Sequence, residues 1–235
     1  MADRTGDESP VAQGCFVTFE GGEGAGKTTQ IARLKARLAA LGIEAEVTRE
    51  PGGSPAAEVI RKLLLEGKVR ELGPRMEAAM FAAARADHMD VTIRPALERG
   101  AWVLCDRFAD STRVYQGEAG VDTGFLDRLE KIATAGRRPD LTVLVDVPAE
   151  VGLARVATRS EGAGGPDRFE TDAIATQERR RRLFLELAAA QPERFVVVDG
   201  TADAETVEAG IWKAVRARLL AGDGPVLAAD TGEAS

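Results

Sequence analysis

The chain has no asparagine, a single histidine (His88), a single tyrosine (Tyr115) and only two cysteines in 235 residues. Without asparagine there is no N-glycosylation acceptor, and the Asn/Thr-Lys-x-Asp motif that a guanine-specific switch would want is missing. A lone histidine leaves Ser/His or Cys/His nucleophilic catalysis resting on one candidate, and zinc would have to be held mostly by carboxylates. Cys15 and Cys105 fall in separate apolar segments, which makes neither a disulfide framework nor a metal quartet and fits a reducing cytosol. No run approaches the roughly 18 apolar residues of a membrane span. The opening MADRTGDESP is polar and acidic where a signal peptide needs an apolar core. A cytoplasmic location without membrane attachment is expected. Positive charge is also short: 31 basic against 38 acidic residues give a net charge of -7. Broad electrostatic attachment to nucleic acid or anionic lipid is disfavoured, so any phosphate binding must be local.

What is present is a regular alternation. Short apolar runs, CFVTFE from Cys15, IEAEVT from Ile43, WVLC from Trp102, LTVLVDV from Leu141 and RFVVVD from Arg194, read as five strands. Between them lie stretches such as TQIARLKARLAAL from Thr29 and TGFLDRLEKIAT from Thr123, whose apolar residues recur at helical spacing. Strand and helix repeated in this way predict an α/β domain with a parallel sheet covered on both faces. IEAEVT alternates and is expected at an edge, while the other four runs read as central strands. A helix over Arg75 to Arg99 should kink or close at Pro95. Residues 1–13 and 221–235 read as loose tails around one domain at 14–220, and Ser160 to Asp167 as a Gly-rich flexible crossing.

Directly after the first run comes GGEGAGKT, Gly21 to Thr28, matching G-x-x-x-x-G-K-[ST] between a strand and a helix. The backbone amides of Gly21, Gly22, Glu23, Gly24, Ala25 and Gly26, with the positive end of the helix from Lys27, can hold a polyphosphate without a basic surface. Lys27 should bridge the outer phosphates, Thr28 should ligate Mg²⁺ as the cofactor, and Thr29 follows in the same turn. The loop alone says nucleotide, not reaction. Further on, Asp106 closes the third strand and is followed at once by Arg107, which suggests a second anion nearby.

Four stretches resemble the thymidylate kinase family: FEGGEGAGKTTQ (Phe19 to Gln30), TREPGG (Thr48 to Gly53), DRFADSTRVYQG (Asp106 to Gly117), and RPDLTVLVDV (Arg138 to Val147) with the lid VGLARVATRSEGAGGPDRFE. The resemblance implies a three-layer P-loop NTPase fold with a five-stranded sheet of order 2-3-1-4-5, transfer of phosphate from ATP to dTMP with Mg²⁺, and a homodimer. Phe81 and Arg85, four apart on one helix face, would hold the base, with Ser111, Thr112, Tyr115 and Gln116 beside it. It implies Arg49 and Arg107 at the acceptor phosphate, Glu23 at the sugar and Asp106 at the metal. The catalytic arginines would come from the lid, about 155–170: Arg159 first, then Arg168, with Arg155 toward ATP, because Gly24 stands where one subtype carries an arginine in the loop. Phe81 as mere core and Glu23 as an exposed loop charge are the plainer alternatives. The run Arg179 to Arg182 reads as a solvated helix face, with attraction of ATP the alternative, and His88 as a surface residue, with a place near the site the alternative. Rival functions are a kinase for another nucleoside monophosphate and a nonenzymatic nucleotide sensor.

Overall fold

The computed structural model describes residues 14–160 and 173–220, apart from the side chains of 159 and 160. The expected tails, the Gly-rich crossing and Arg168 lie outside the described residues, as does the side chain of Arg159. Five strands form one parallel sheet: β1 Phe16–Glu20, β2 Ala45–Arg49, β3 Trp102–Asp106, β4 Leu141–Asp146 and β5 Phe195–Asp199. Their order is β2-β3-β1-β4-β5, the topology implied by the resemblance. Helices α1 Lys27–Ala40 and α9 Ala204–Leu219 lie on one face, and α5 Ala109–Glu118 and α8 Ile174–Ala190 on the other.

Period-two alternation explains both cores. Val17 and Phe19 of β1 join Leu104, Val143 and Val145 against Ile31, Leu34 and Leu38 of α1 and Ile211 and Val215 of α9. Phe16 points the other way, with Val103, Cys105 and Phe108, and Leu144 of β4 meets Val114, Phe184 and Phe195. Burial of each such side chain is worth roughly 1.5–3 kcal/mol before the entropic cost. Strand β2 is an edge, with Val47 exposed. Strand β5, apolar from Phe195 to Val198, is the other edge, and its Val197 faces solvent. There the unbroken run reflects one covered face and an uncovered valine, not a central position.

The long helix expected over 75–99 is divided. Helix α3 Pro74–His88 passes into a wide π-type turn, Met89–Ile93, before the short α4 Arg94–Glu98. Pro95 has no N–H for the carbonyl of Val91, so the regular ladder cannot continue through it. The remaining helices are α2 Pro55–Leu65, α6 Thr123–Thr134 and α7 Ala149–Ser160. No helix among the described residues is long and apolar enough to cross a membrane, and both cysteines are free.

Parallel strands put all their C-terminal ends on one side, where ligands of such sheets bind. Asp106 pairs in register with Phe19 on one side and Arg49 on the other, so the ends of β1, β2 and β3 converge. Glu20 ends β1 fully buried and caps α5 from outside that helix. Its carboxylate accepts the amides of Phe108 at 2.8 Å and Ser111 at 3.3 Å, and the Ser111 hydroxyl at 2.6 Å. Burial, helped by the Asp110 carboxylate, raises the Glu20 carboxyl to about 7 from 4.5, against the pull of Arg107 and these hydrogen bonds. A value raised in the fold means that the group's contribution to stability is complete below 4.5 and is lost as pH rises through 7. Glu20→Gln should therefore gain on the wild type between about pH 5 and pH 8, by on the order of 3 kcal/mol. Denaturant unfolding at the two pH values checks this; a pH-independent difference would contradict it.

Candidate active site

The loop between β1 and α1 is shaped by what it must avoid. Gly24 and Gly26 take left-handed backbone angles, φ 68° and 92°. A Cβ on Gly24 would lie 2.0 Å from the Gly152 carbonyl oxygen of α7, so no side chain fits at 24. That is the physical reason this loop carries no arginine there. Helix α1 has neither a side-chain cap nor an acidic residue in its first turn, which leaves its N-terminal amides open to an anion. Lys27 crosses beneath, donating to the Gly22 carbonyl at 3.1 Å and the Gly21 carbonyl at 3.3 Å. Burial, and then the Arg107 guanidinium, hold its ammonium below the usual lysine range, while Asp106, Glu23 and Glu20 pull the other way.

The Thr28 hydroxyl donates to Asp106 Oδ2 at 3.0 Å. These oxygens from α1 and β3 suit a hard cation such as Mg²⁺. Among the described residues no group of three or more His, Cys, Asp and Glu side chains could hold a metal ion. A cation here would need phosphate oxygens to complete its shell.

A cavity of about 270 Å³ runs from this loop to the base of α3. Glu23, Gly24, Ala25, Gly26, Lys27, Thr28 and Thr29 line one end; Arg49, Phe81, Arg85, Ser111, Thr112, Tyr115 and Gln116 line the other, with Asp106 and Arg107 also on its wall. Arg107 joins the two ends. Held at φ 68° just past β3, it donates from Nη1 to the Gly21 carbonyl at 3.0 Å and Ser111 Oγ at 3.1 Å, and from Nη2 to Glu23 at 2.5 Å. The Tyr115 hydroxyl reaches the same Glu23 oxygen at 3.0 Å. Burial would raise the Glu23 carboxyl, but Arg107, Lys27 and the Tyr115 hydrogen bond outweigh it and hold the group below the ordinary carboxylate range. Glu23 is thus a paired wall residue rather than an exposed charge.

At the far end, Phe81 is half-buried and lines the cavity instead of joining a core cluster. Arg85 is 2% exposed; it donates to Glu50 Oε2 at 2.7 Å and Thr112 Oγ1 at 3.0 Å. Gln116 donates to Glu77 at 2.9 Å, and Arg49 pairs with Glu58 at 2.9 Å. Arg155 is not among the lining residues: it donates to the Gly200 carbonyl at 2.9 Å.

Two expectations need correction. His88 is not on the surface but fully buried, 3.0 Å from Glu50 and 2.7 Å from Thr48. The run Arg179 to Arg182 is not uniformly solvated, since Arg180 is buried with its guanidinium 4.4 Å from the Tyr115 ring centroid. The helical spacing of Gln177, Arg180, Phe184 and Ala188, the buried stripe of α8, was the available signal, obscured by reading four arginines as a block. Glu50, Arg61 and Phe108 also line the cavity without having been singled out.

The loop geometry separates two substitutions. Gly24→Ala should cost about 1–3 kcal/mol in stability and weaken nucleotide binding. Gly22→Ala, where an added Cβ meets nothing within 4 Å, should stay within about 0.5 kcal/mol of the wild type. Thermal unfolding of both checks the difference, and equal behaviour would contradict it.

The thymidylate kinase family model matches residues 19–211. Proteins named thymidylate kinase resemble the chain over most of both lengths: 53% identity over 214 residues for that of Nitrobacter hamburgensis, 91% of this chain and 93% of the relative. That of Bradyrhizobium diazoefficiens is 49% identical over 209 residues, 88% and 91% of the two chains. The chain therefore belongs to the thymidylate kinase family.

Proposed function

We propose that the chain transfers the γ-phosphoryl group of ATP to dTMP, giving dTDP. The observation that carries the reading is Arg107, whose one guanidinium spans the phosphate loop at Gly21 and Glu23 and the acceptor wall at Ser111. ATP phosphates would lie along Gly21 to Thr29, with Lys27 turning from the loop carbonyls onto the outer phosphates. The acceptor phosphate, whose second pKa is about 6, is already an anionic nucleophile at neutral pH, so no side chain has to remove a proton. What the protein must supply is alignment and cancellation of repulsion between two polyanions. Arg107 and Arg49 serve the acceptor phosphate. The lid arginines Arg159 and Arg168 are proposed to close over the transferred group, with Arg155 on the ATP side. Mg²⁺, held by Thr28 and Asp106, would neutralise phosphate charge.

Base choice follows from donor chemistry. Arg85 can only donate hydrogen bonds, so a pyrimidine with a carbonyl at position 4 suits it and cytosine, with an amino group there, does not. Phe81 offers a face for stacking, and Ser111, Thr112, Tyr115 and Gln116 frame base and sugar, with Glu23 toward the sugar hydroxyl. Val59 of α2, Leu72, Met76 of α3 and Ile132 of α6 are exposed apolar residues on helices that touch one another, which supports a homodimer. The free cysteines and nucleotide substrates suit the cytoplasm.

A coupled assay with ATP and Mg²⁺ should show dTMP preferred over CMP, GMP and AMP by at least about tenfold in kcat/KM. Equal or better turnover of any of those three would favour the rival monophosphate kinase. Lys27→Ala should lower kcat by orders of magnitude; a loss of ATP affinity alone would point to the nonenzymatic sensor.

A further inference from the structure

We infer that His88 is a positioning residue for base recognition, acting through Glu50 to fix the Arg85 guanidinium at the base end of the cavity. The inference rests on the proposed function and names a residue that touches no substrate: Glu50 and Arg85 line the cavity, and His88 does not. The three form a chain wholly inside the protein, with side-chain exposures of 0% for His88, 4% for Glu50 and 2% for Arg85.

Each carboxylate oxygen of Glu50 has a separate partner. Oε2 accepts from Arg85 Nε at 2.7 Å, and Oε1 lies 3.0 Å from His88 Nδ1. An ionised carboxylate only accepts, so Nδ1 must carry the proton; Nε2 then faces Thr48 Oγ1 at 2.7 Å. This division matters for Arg85. Were Oε1 released, the carboxylate could turn both oxygens onto the guanidinium in the favoured bidentate pairing. That would draw the Arg85 fork away from Thr112, which Nη2 now reaches at 3.0 Å, and change which N–H faces the base. His88 is in turn wedged in place by the 48–53 segment. A Cβ on Gly53, already at φ +85°, would come within 2.3 Å of His88 Nε2 and 2.4 Å of Thr48 Oγ1. The backbone therefore closes directly over the imidazole.

The alternative is that His88 merely fills space. Asn and Gln separate the two, because an Asn amide nitrogen stands near the Nδ1 position and can still donate to Glu50, whereas a Gln amide reaches toward the Nε2 position and Thr48. His88→Ala should raise KM for dTMP about tenfold, with kcat and KM for ATP within about threefold of the wild type. His88→Asn should recover most of that loss and His88→Gln should not. Inhibition by 2-deoxyribose 5-phosphate, which has no base for Arg85 to read, should be equal in all four proteins. Three results would overturn the inference: an unchanged KM for dTMP in His88→Ala, matching behaviour or loss of folding in both amide variants, or a parallel weakening of the sugar phosphate. A wild type that does not phosphorylate dTMP would instead overturn the proposed function, and this inference with it.

Discussion

The structure turns on one half-buried guanidinium. Arg107 follows β3 directly, in a backbone conformation that few residues other than glycine adopt, and its fork meets a loop carbonyl, a carboxylate and a hydroxyl at once. A left-handed residue there costs free energy that the surrounding contacts must offset. Lys27 shares the neighbourhood and suffers from the guanidinium's charge, while Glu23 is stabilised by both cations. Loop and acceptor wall are thus one electrostatic unit. Without Arg107 the half-buried Glu23 carboxylate would have Lys27 and the Tyr115 hydroxyl as its chief compensation.

The same logic explains how an acidic molecule can host two polyanions. The chain carries a net charge of -7, yet two arginines on the cavity wall are each held against an acid. Arg107 faces Glu23, Arg85 faces Glu50, and Glu20 caps α5 beneath them. These pairs keep arginines fixed in the absence of substrate and limit the reorganisation needed when phosphates arrive. A buried pair of this kind is weak evidence of stability, because desolvation cancels much of the attraction, and stronger evidence of positioning.

Much of this was legible in the residues themselves. The loop's glycines and Lys27 announce their geometry, because only a tight turn into a helix needs that spacing. Strand positions followed from apolar runs, and the edge place of β2 from its alternation. Other features depend on contacts that no local pattern records. β5 reads like a central strand because its covered face and its exposed Val197 are equally apolar. His88 looked like a surface residue since nothing near it in the chain reveals that Glu50, 38 positions earlier, is its partner. Arg180 was hidden by its neighbours, for three further arginines around it obscure the one that faces inward. For His88 and Arg180 the contacts that hold the buried side chain come from residues distant in the chain, Glu50 and Tyr115, which periodicity cannot show.

The most direct measurement is a crystal structure with dTMP and a nonhydrolysable ATP analogue bound together. The account predicts the acceptor phosphate hydrogen-bonded to the Arg107 guanidinium, and Lys27 Nζ moved from the Gly21 and Gly22 carbonyls to the terminal phosphates. A phosphate of dTMP remote from Arg107, with Lys27 still on those carbonyls, would contradict it.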